Sequence, residues 1–125
     1  MAIVAVDRPQ EMEDSMTTAD WEPLVAVVQA RVGSTRFPGK VLKSVIGTPL
    51  VGHLIERLRR APSVSRVVLA IPDSAINDDL ANVGARFGAE IYRGSELDVL
   101  DRFAKAAKNF PARHYLRVTG DCPLV

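Results

Sequence analysis

The sequence predicts an α/β fold, a mostly parallel sheet covered by helices on both faces, and three observations carry that expectation. Short apolar, Val-rich runs stand at 24–28 and 64–71, followed by more polar strand-like stretches at 89–92 and 114–119. Between them lie segments whose apolar residues repeat at helical spacing. Strand and helix alternate through four strands, the order that right-handed β-α-β crossovers produce.

Residues 1–23 carry six acids (Asp7, Glu11, Glu13, Asp14, Asp20, Glu22) against Arg8 alone, which leaves fifteen bases and nine acids in 24–125. That head has two prolines and no sustained apolar period, so it is expected to be a flexible acidic extension preceding one folded domain. Leu24-Val25-Ala26-Val27-Val28 then reads as a core strand. A first helix is expected after the loop at 29–40, with Thr48 as its cap, Pro49 in its first turn and Leu50, Val51, Leu54, Ile55 and Leu58 as its apolar stripe. Its arginines, Arg57, Arg59 and Arg60, fall at the end that the helix dipole favours for cations. His53 lies beside the stripe without an acid or nucleophile next to it, and reads as a packed or surface histidine.

The run 64–71 is the second strand, stopped by Pro72-Asp73. A helix over about 77–87 buries Leu80, Ala81, Val83 and Phe87 and ends with Gly88 as its C′ residue. After the short strand 89–92, Ser95 and Asp98 mark the start of a helix whose expected buried face is Leu97, Leu100, Phe103, Ala104 and Ala107. Pro111 closes it, and 114–119 is the last strand.

A chain of 125 residues with 47% apolar content can bury one core. No stretch approaches the roughly 20 apolar residues of a membrane span, and the first residues lack a basic leader, so a cytoplasmic location is the default expectation. Cys122 is alone, which excludes a disulfide framework and a multi-cysteine metal site. The cations are dispersed and aromatic residues sparse, so a bound phosphate ligand explains them better than a nucleic-acid groove.

The chemistry is concentrated in Gln29-Ala30-Arg31-Val32-Gly33-Ser34-Thr35-Arg36-Phe37-Pro38-Gly39-Lys40. This loop leaves a core strand with three cations among small residues, and so offers fixed charges and backbone N–H donors to a polyphosphate. A P-loop is excluded, because five residues separate Gly33 from Gly39 and Val41 stands where Ser or Thr belongs. A dinucleotide fingerprint is absent as well. A basic surface loop with no ligand is the competing reading of the same residues.

In a parallel sheet every strand-to-helix loop emerges at the carboxyl edge, where ligands bind. The cationic loop, Asp73, the Arg93-Gly94-Ser95 turn and Asp121 all fall on that edge. A carboxylate fixed between Gly120 and Pro123 beside cations suits a nucleoside triphosphate with Mg²⁺. A strand-terminating Asx turn is the alternative role for Asp121.

The segments 29–42, Arg-Gly-Ser-Glu-Leu-Asp-Val-Leu-Asp-Arg (93–102) and Arg-Val-Thr-Gly-Asp-Cys-Pro-Leu (117–124) resemble the cytidylyltransferases of the acylneuraminate and 3-deoxy-manno-octulosonate type, with the spore-coat-polysaccharide branch nearest. The likeness covers 24–125 with its motifs in order. It implies a Rossmann-like nucleotidyltransferase fold, CTP and Mg²⁺ as ligands, and transfer of CMP to a sugar with release of pyrophosphate in surface polysaccharide synthesis.

By the same resemblance Ala30, Arg31, Gly33, Ser34, Arg36 and Lys40 would hold the triphosphate and part of the base, with Arg36 and Lys40 in the catalytic role. Arg93 and Ser95 would lie near base or ribose, and Asp121 would ligate the metal. Family members are roughly twice as long, and their downstream half supplies the sugar pocket, a second metal carboxylate and dimer contacts. The chain therefore reads as a truncated, N-terminal nucleotide-binding part, with a homodimer among its expected assemblies. A catalytically silent nucleotide-binding fragment, or a sugar-1-phosphate or guanylyl nucleotidyltransferase, are the rival readings.

Overall fold

A computed structural model of the chain describes residues 2–5, 23–33 and 42–119. Its centre is strand β2 (Leu24–Gln29), six residues that are all buried. Apolar side chains on both faces of a strand require cover on both faces, and the rest of the chain supplies it. Strand β1 (Ala2–Ala5) precedes it, and β3 (Ser44–Val45) and β4 (Thr48–Pro49) form a small separate hairpin. The remaining elements are α1 (Leu50–Arg60), β5 (Val64–Pro72), a single 3₁₀ turn (Ala75–Asn77), α2 (Asp78–Arg86), β6 (Glu90–Gly94), α3 (Val99–Asn109) and β7 (His114–Thr119).

The main sheet has the order β1-β7-β2-β5-β6. β2 runs parallel to β5 and to β7, and β5 parallel to β6, whereas β1 is antiparallel to β7. Alternate residues of β2 feed two cores. Ala26 and Val28 join Val51, Leu54, Ile55 and Leu58 of α1 and Leu80 of α2 on one face. Val25 and Val27 join Phe103 and Ala106 of α3 and Tyr115 of β7 on the other. The expected parallel sheet with helices on both faces is present.

Helix α2 closes as its sequence requires. Gly88 takes φ +95°, its N–H donates to the Ala85 carbonyl at 3.0 Å, and the Ala89 N–H donates to the Gly84 carbonyl at 2.9 Å, a full Schellman closure.

Several local expectations are corrected. Thr48 and Pro49 pair with Val45 and Ser44 instead of opening α1, which begins at Leu50 with Pro49 in the capping position. Helix α3 begins three residues later than Ser95 suggests. Asp98 is its cap, accepting the Asp101 N–H at 2.9 Å, while the Ser95 hydroxyl accepts the Asp98 N–H at 3.0 Å. With that start Leu97 precedes the helix and is 96% exposed, and Leu100 sits in its first turn, 68% exposed. Ala104 is exposed too, and the buried face of α3 is Arg102, Phe103 and Ala106. Arg93 and Gly94 end β6 rather than forming a turn. In the head, Ala2–Ala5 is a strand whose residues oppose Arg117 to His114, which corrects the reading of that stretch as an extension outside the fold. The physical reason is the outer edge of β7, whose backbone groups need a partner. Residues 6–22 lie outside the described residues.

Two expected outcomes follow from this packing. The hairpin turn puts both Ile46 (φ 53°) and Gly47 (φ 78°) in the left-handed region of a two-residue reversal, and a β-branched residue is strained there. Ile46 is 96% exposed, so Ile46→Asn is expected to stabilise the fold by about 1 kcal/mol in denaturant titration.

The second concerns Tyr115. Its hydroxyl accepts the Ala112 N–H at 2.9 Å and gives its one proton to the carbonyl of Ala107 (2.7 Å) or Phe110 (2.9 Å). Burial raises its pKa, against the opposing pull of the Ala112 N–H. A pKa raised on folding gives stability that is complete below the unfolded value and is lost as pH climbs through the folded one. Stability should therefore fall above about pH 10, and Tyr115→Phe should flatten that fall while costing about 1 to 2 kcal/mol at neutral pH.

Candidate functional site

The parallel register puts the ends of β2, β5, β6 and β7 at one edge. Gln29 is the last residue of β2 and lies opposite Thr119 of β7 and Ala70 of β5. The connection from β2 leads through α1 to β5 on one side, and the connection from β6 leads through α3 back across the sheet to β7 on the other. The direction of winding therefore reverses between β2 and β7. In open α/β sheets ligands bind beyond the carboxyl ends at such a switch point, and the loop that carries the cations begins there.

Of the residues expected to form the site, Ala30, Arg31 and Gly33 follow β2 directly. Ala30 is buried and its N–H donates to the Ala70 carbonyl at 3.2 Å, while Arg31 and Gly33 are exposed. Among the described residues, a Cβ added at Gly33 would meet nothing within 4 Å. Open space beside a backbone amide is what a ligand's close approach needs. Ser34, Arg36, Lys40 and Asp121 lie outside the described residues.

Arg93 and Ser95 reach the same edge but are already engaged. The Arg93 guanidinium pairs with the Asp78 carboxylate at 2.9 Å and donates to the Ser74 carbonyl at 3.4 Å, tying β6 to the connection before α2. Ser95 Oγ accepts from Asp98 N as described above and keeps its own proton. Asp73 is exposed, and its N–H donates to the Gly94 carbonyl at 2.8 Å. His53 Nε2 meets the Val45 carbonyl at 2.6 Å and braces the hairpin, consistent with a packing role.

Three polar residues that sequence reasoning missed organise this edge. Gln29, 7% exposed, donates its Nε2 to the Val99 carbonyl at 3.3 Å and accepts Arg102 Nε on Oε1 at 3.1 Å. Arg102, 2% exposed, also donates Nη1 to the Ser95 carbonyl at 2.8 Å. Asn77, 1% exposed, accepts the Val32 N–H at 2.9 Å. A polar Gln ending a wholly apolar strand was the one available signal.

Burial lowers the Arg102 pKa first and the nearby Arg31 cation second, with Glu96 opposing them. No ion pair to Arg102 exists among the described residues. The two guanidinium groups oppose each other, Glu96 offsets them in part, and among the described residues no carboxylate pairs with either, which favours anions at the rim.

Among the described residues no group of three or more His, Cys, Asp or Glu is placed to hold a metal ion. A separate cleft of about 390 Å³ opens at the opposite, amino ends of β5 and β6, lined by Arg59, Arg66, Gly88 and Glu90 among others. Its cations are taken up by Glu90 (2.8 Å from Arg66) and the Phe87 carbonyl (3.2 Å from Arg59).

Arg102→Ala is expected to cost about 2 to 3 kcal/mol by denaturant titration, since it strands the Gln29 and Ser95 oxygens. Arg102→Lys should recover little of it, because an ammonium lacks the fork that reaches both acceptors.

A family model described as Cytidylyltransferase matches residues 25–125. The 3-deoxy-manno-octulosonate cytidylyltransferase of Trichlorobacter lovleyi is 38% identical over 103 residues, covering 82% of this chain and 40% of that protein. The spore coat polysaccharide biosynthesis protein SpsF of Bacillus subtilis is 36% identical over 106 residues, covering 82% and 44%. Among solved structures, a cytidylyltransferase from Leptospira borgpetersenii superposes with a TM-score of 0.74 at 33% identity, over 82% of this chain and 43% of that one. A CMP:2-keto-3-deoxy-manno-octonic acid synthetase complexed with CTP superposes with 0.72 at 28%, over 82% and 42%. The chain spans about two fifths of the length of these relatives. It belongs to the cytidylyltransferase family.

Proposed function

We propose that the chain is the nucleotide-binding part of a CTP-dependent sugar cytidylyltransferase, which transfers CMP to an acidic sugar and releases pyrophosphate in surface polysaccharide synthesis. One observation carries this reading: the cationic loop starts at the switch point of the sheet, beside a buried guanidinium that forms no ion pair among the described residues. The solved relative complexed with CTP supports the choice of nucleotide.

In the reaction a sugar hydroxyl attacks the α-phosphorus and releases its proton to solvent, the bond from the α-phosphorus to the bridging oxygen breaks, and pyrophosphate departs with that oxygen. Little covalent chemistry is asked of the protein. Arg31, Arg36 and Lys40 neutralise the charge that builds on the phosphoryl oxygens and the leaving group, with Arg36 and Lys40 nearest the reacting phosphates. Backbone amides of Gly33 and Ser34 fix the triphosphate, and Ala30, whose own N–H stays with the Ala70 carbonyl, brings them to it. Ser95 presents its hydroxyl proton on the base or ribose side, and Arg93 reaches a ligand there by sharing its guanidinium with Asp78. Asp121 would hold Mg²⁺, which would supply further charge neutralisation on the phosphates. Such an enzyme works in the cytoplasm.

The chain's span of about two fifths of its relatives favours a second reading, a domain that binds CTP without turning it over. Pyrophosphate release in the presence of CTP and an acidic sugar separates the two. For either reading, Arg36→Ala and Lys40→Ala are expected to weaken CTP binding by about 1.5 to 3 kcal/mol each and to leave cytidine binding nearly unchanged, measured by calorimetric titration. Equal losses for CTP and cytidine would exclude a phosphate clamp.

A further inference from the structure

Beyond Gln29 the described start of the cationic loop has few anchors. The Ala30 N–H reaches back to Ala70, and the Val32 N–H is taken by the side-chain oxygen of Asn77, 45 positions further along the chain. Arg31 and Gly33, on either side of Val32, are exposed.

Asn77 occupies the capping position of α2, with φ −97° and ψ 8°, and makes no side-chain bond to that helix. An asparagine at this position ordinarily accepts an N–H of its own first turn and stabilises the helix by doing so. Here the oxygen is turned away from α2 to the loop. The Val32 N–H can only donate and so fixes the orientation of the amide, whose Nδ2 then donates to Ser74 Oγ at 2.9 Å. The backbone of Ser74 is held in turn, by the Asn77 N–H at 3.0 Å and by Arg93.

We infer that Asn77 is the positioning residue of the cationic loop: it gives up its helix cap to set the backbone at Val32, and thereby the direction in which Arg31 and the Gly33 amide face a triphosphate. This rests on the nucleotide reading above. The residue type fits the role, since an uncharged oxygen satisfies the Val32 N–H without placing a negative charge on the rim of a polyanion site.

The test measures amide hydrogen exchange at Val32 and the affinities for CTP and for cytidine in the 125-residue chain. Asn77→Ala is expected to speed Val32 exchange about tenfold and weaken CTP about tenfold, with cytidine unchanged. Asn77→Asp keeps an acceptor, so Val32 protection should return to within about threefold of the parent. Val32 protection unchanged in Asn77→Ala, or lost while CTP affinity holds, would overturn the inference. If the parent binds no CTP, the nucleotide reading fails, and the exchange pattern across the two variants still decides whether Asn77 is the anchor. If Asn77→Ala does not fold, Ser74→Ala removes only the partner that orients the amide. Faster Val32 exchange in that variant supports the anchor, and unchanged exchange overturns it.

Discussion

The rest of the structure depends on the dryness of β2. Ala26, Val27 and Val28 have no exposed surface, and both neighbouring strands run parallel to them. A parallel strand cannot be paired by a tight reversal, so each neighbour requires a crossover with its own helix, and each helix must lie on the face that handedness assigns. The two crossovers leave on opposite faces, and the strand between them becomes the place where the winding reverses. The chain enters at Pro23, whose carbonyl accepts from Arg113 (3.1 Å) and His114 (3.4 Å), and leaves at Gln29. The position of the cationic loop is therefore a consequence of hydrophobic burial, settled before any ligand is considered.

What burial does not settle is the loop's direction, and there the protein spends polar groups that ordinarily prefer water. Gln29 and Asn77 are buried amides and Arg102 a buried cation, each of which carries a desolvation cost unless it is hydrogen-bonded. All three are satisfied by connections arriving at the same edge: Val99 and Ser95 from the β6–α3 segment, Val32 from the loop, Ser74 from the segment before α2. The network ties the end of β2 and the start of α3 to the loops at this edge. Its members differ in sequence by up to 73 positions, so it forms only when the sheet has formed.

That separation explains what the sequence could and could not reveal. The strands were legible because Val-rich runs bounded by Pro and Gly have few other uses, and the end of α2 was legible because Gly88 is a local signal. The cationic loop was legible from its composition and its place after a strand. Asn77 was not, since its sequence neighbours made it look like an ordinary helix start, and its partner lies 45 positions away. Arg102 was passed over because Leu97 and Leu100 offered a more apolar stripe. The cap at Asp98 moved the helix start, and α3 turned a guanidinium stem inward where those leucines face out. Ala2–Ala5 was hidden by the acids that follow it, whose charge dominated the reading of the whole head.

The choice of acceptors at the edge gives the site its sign. Arg102 is satisfied by the Gln29 side-chain oxygen and the Ser95 carbonyl, and the loop by Asn77, all of them neutral. Of the carboxylates nearby, Asp98 caps α3 and Asp78 holds Arg93, while Glu96 acts on Arg102 without an ion pair among the described residues. Had Arg102 been paired with an acid, the same hydrogen bonds would have been made with the field cancelled, and a buried pair of that kind stabilises little once both charges are desolvated. A neutral acceptor meets the guanidinium's geometry and leaves its charge in place, acting at short range on Arg31 and through it on whatever the loop binds. Donors oriented in advance beside a guanidinium that forms no ion pair among the described residues are what the polyanion site proposed above would use.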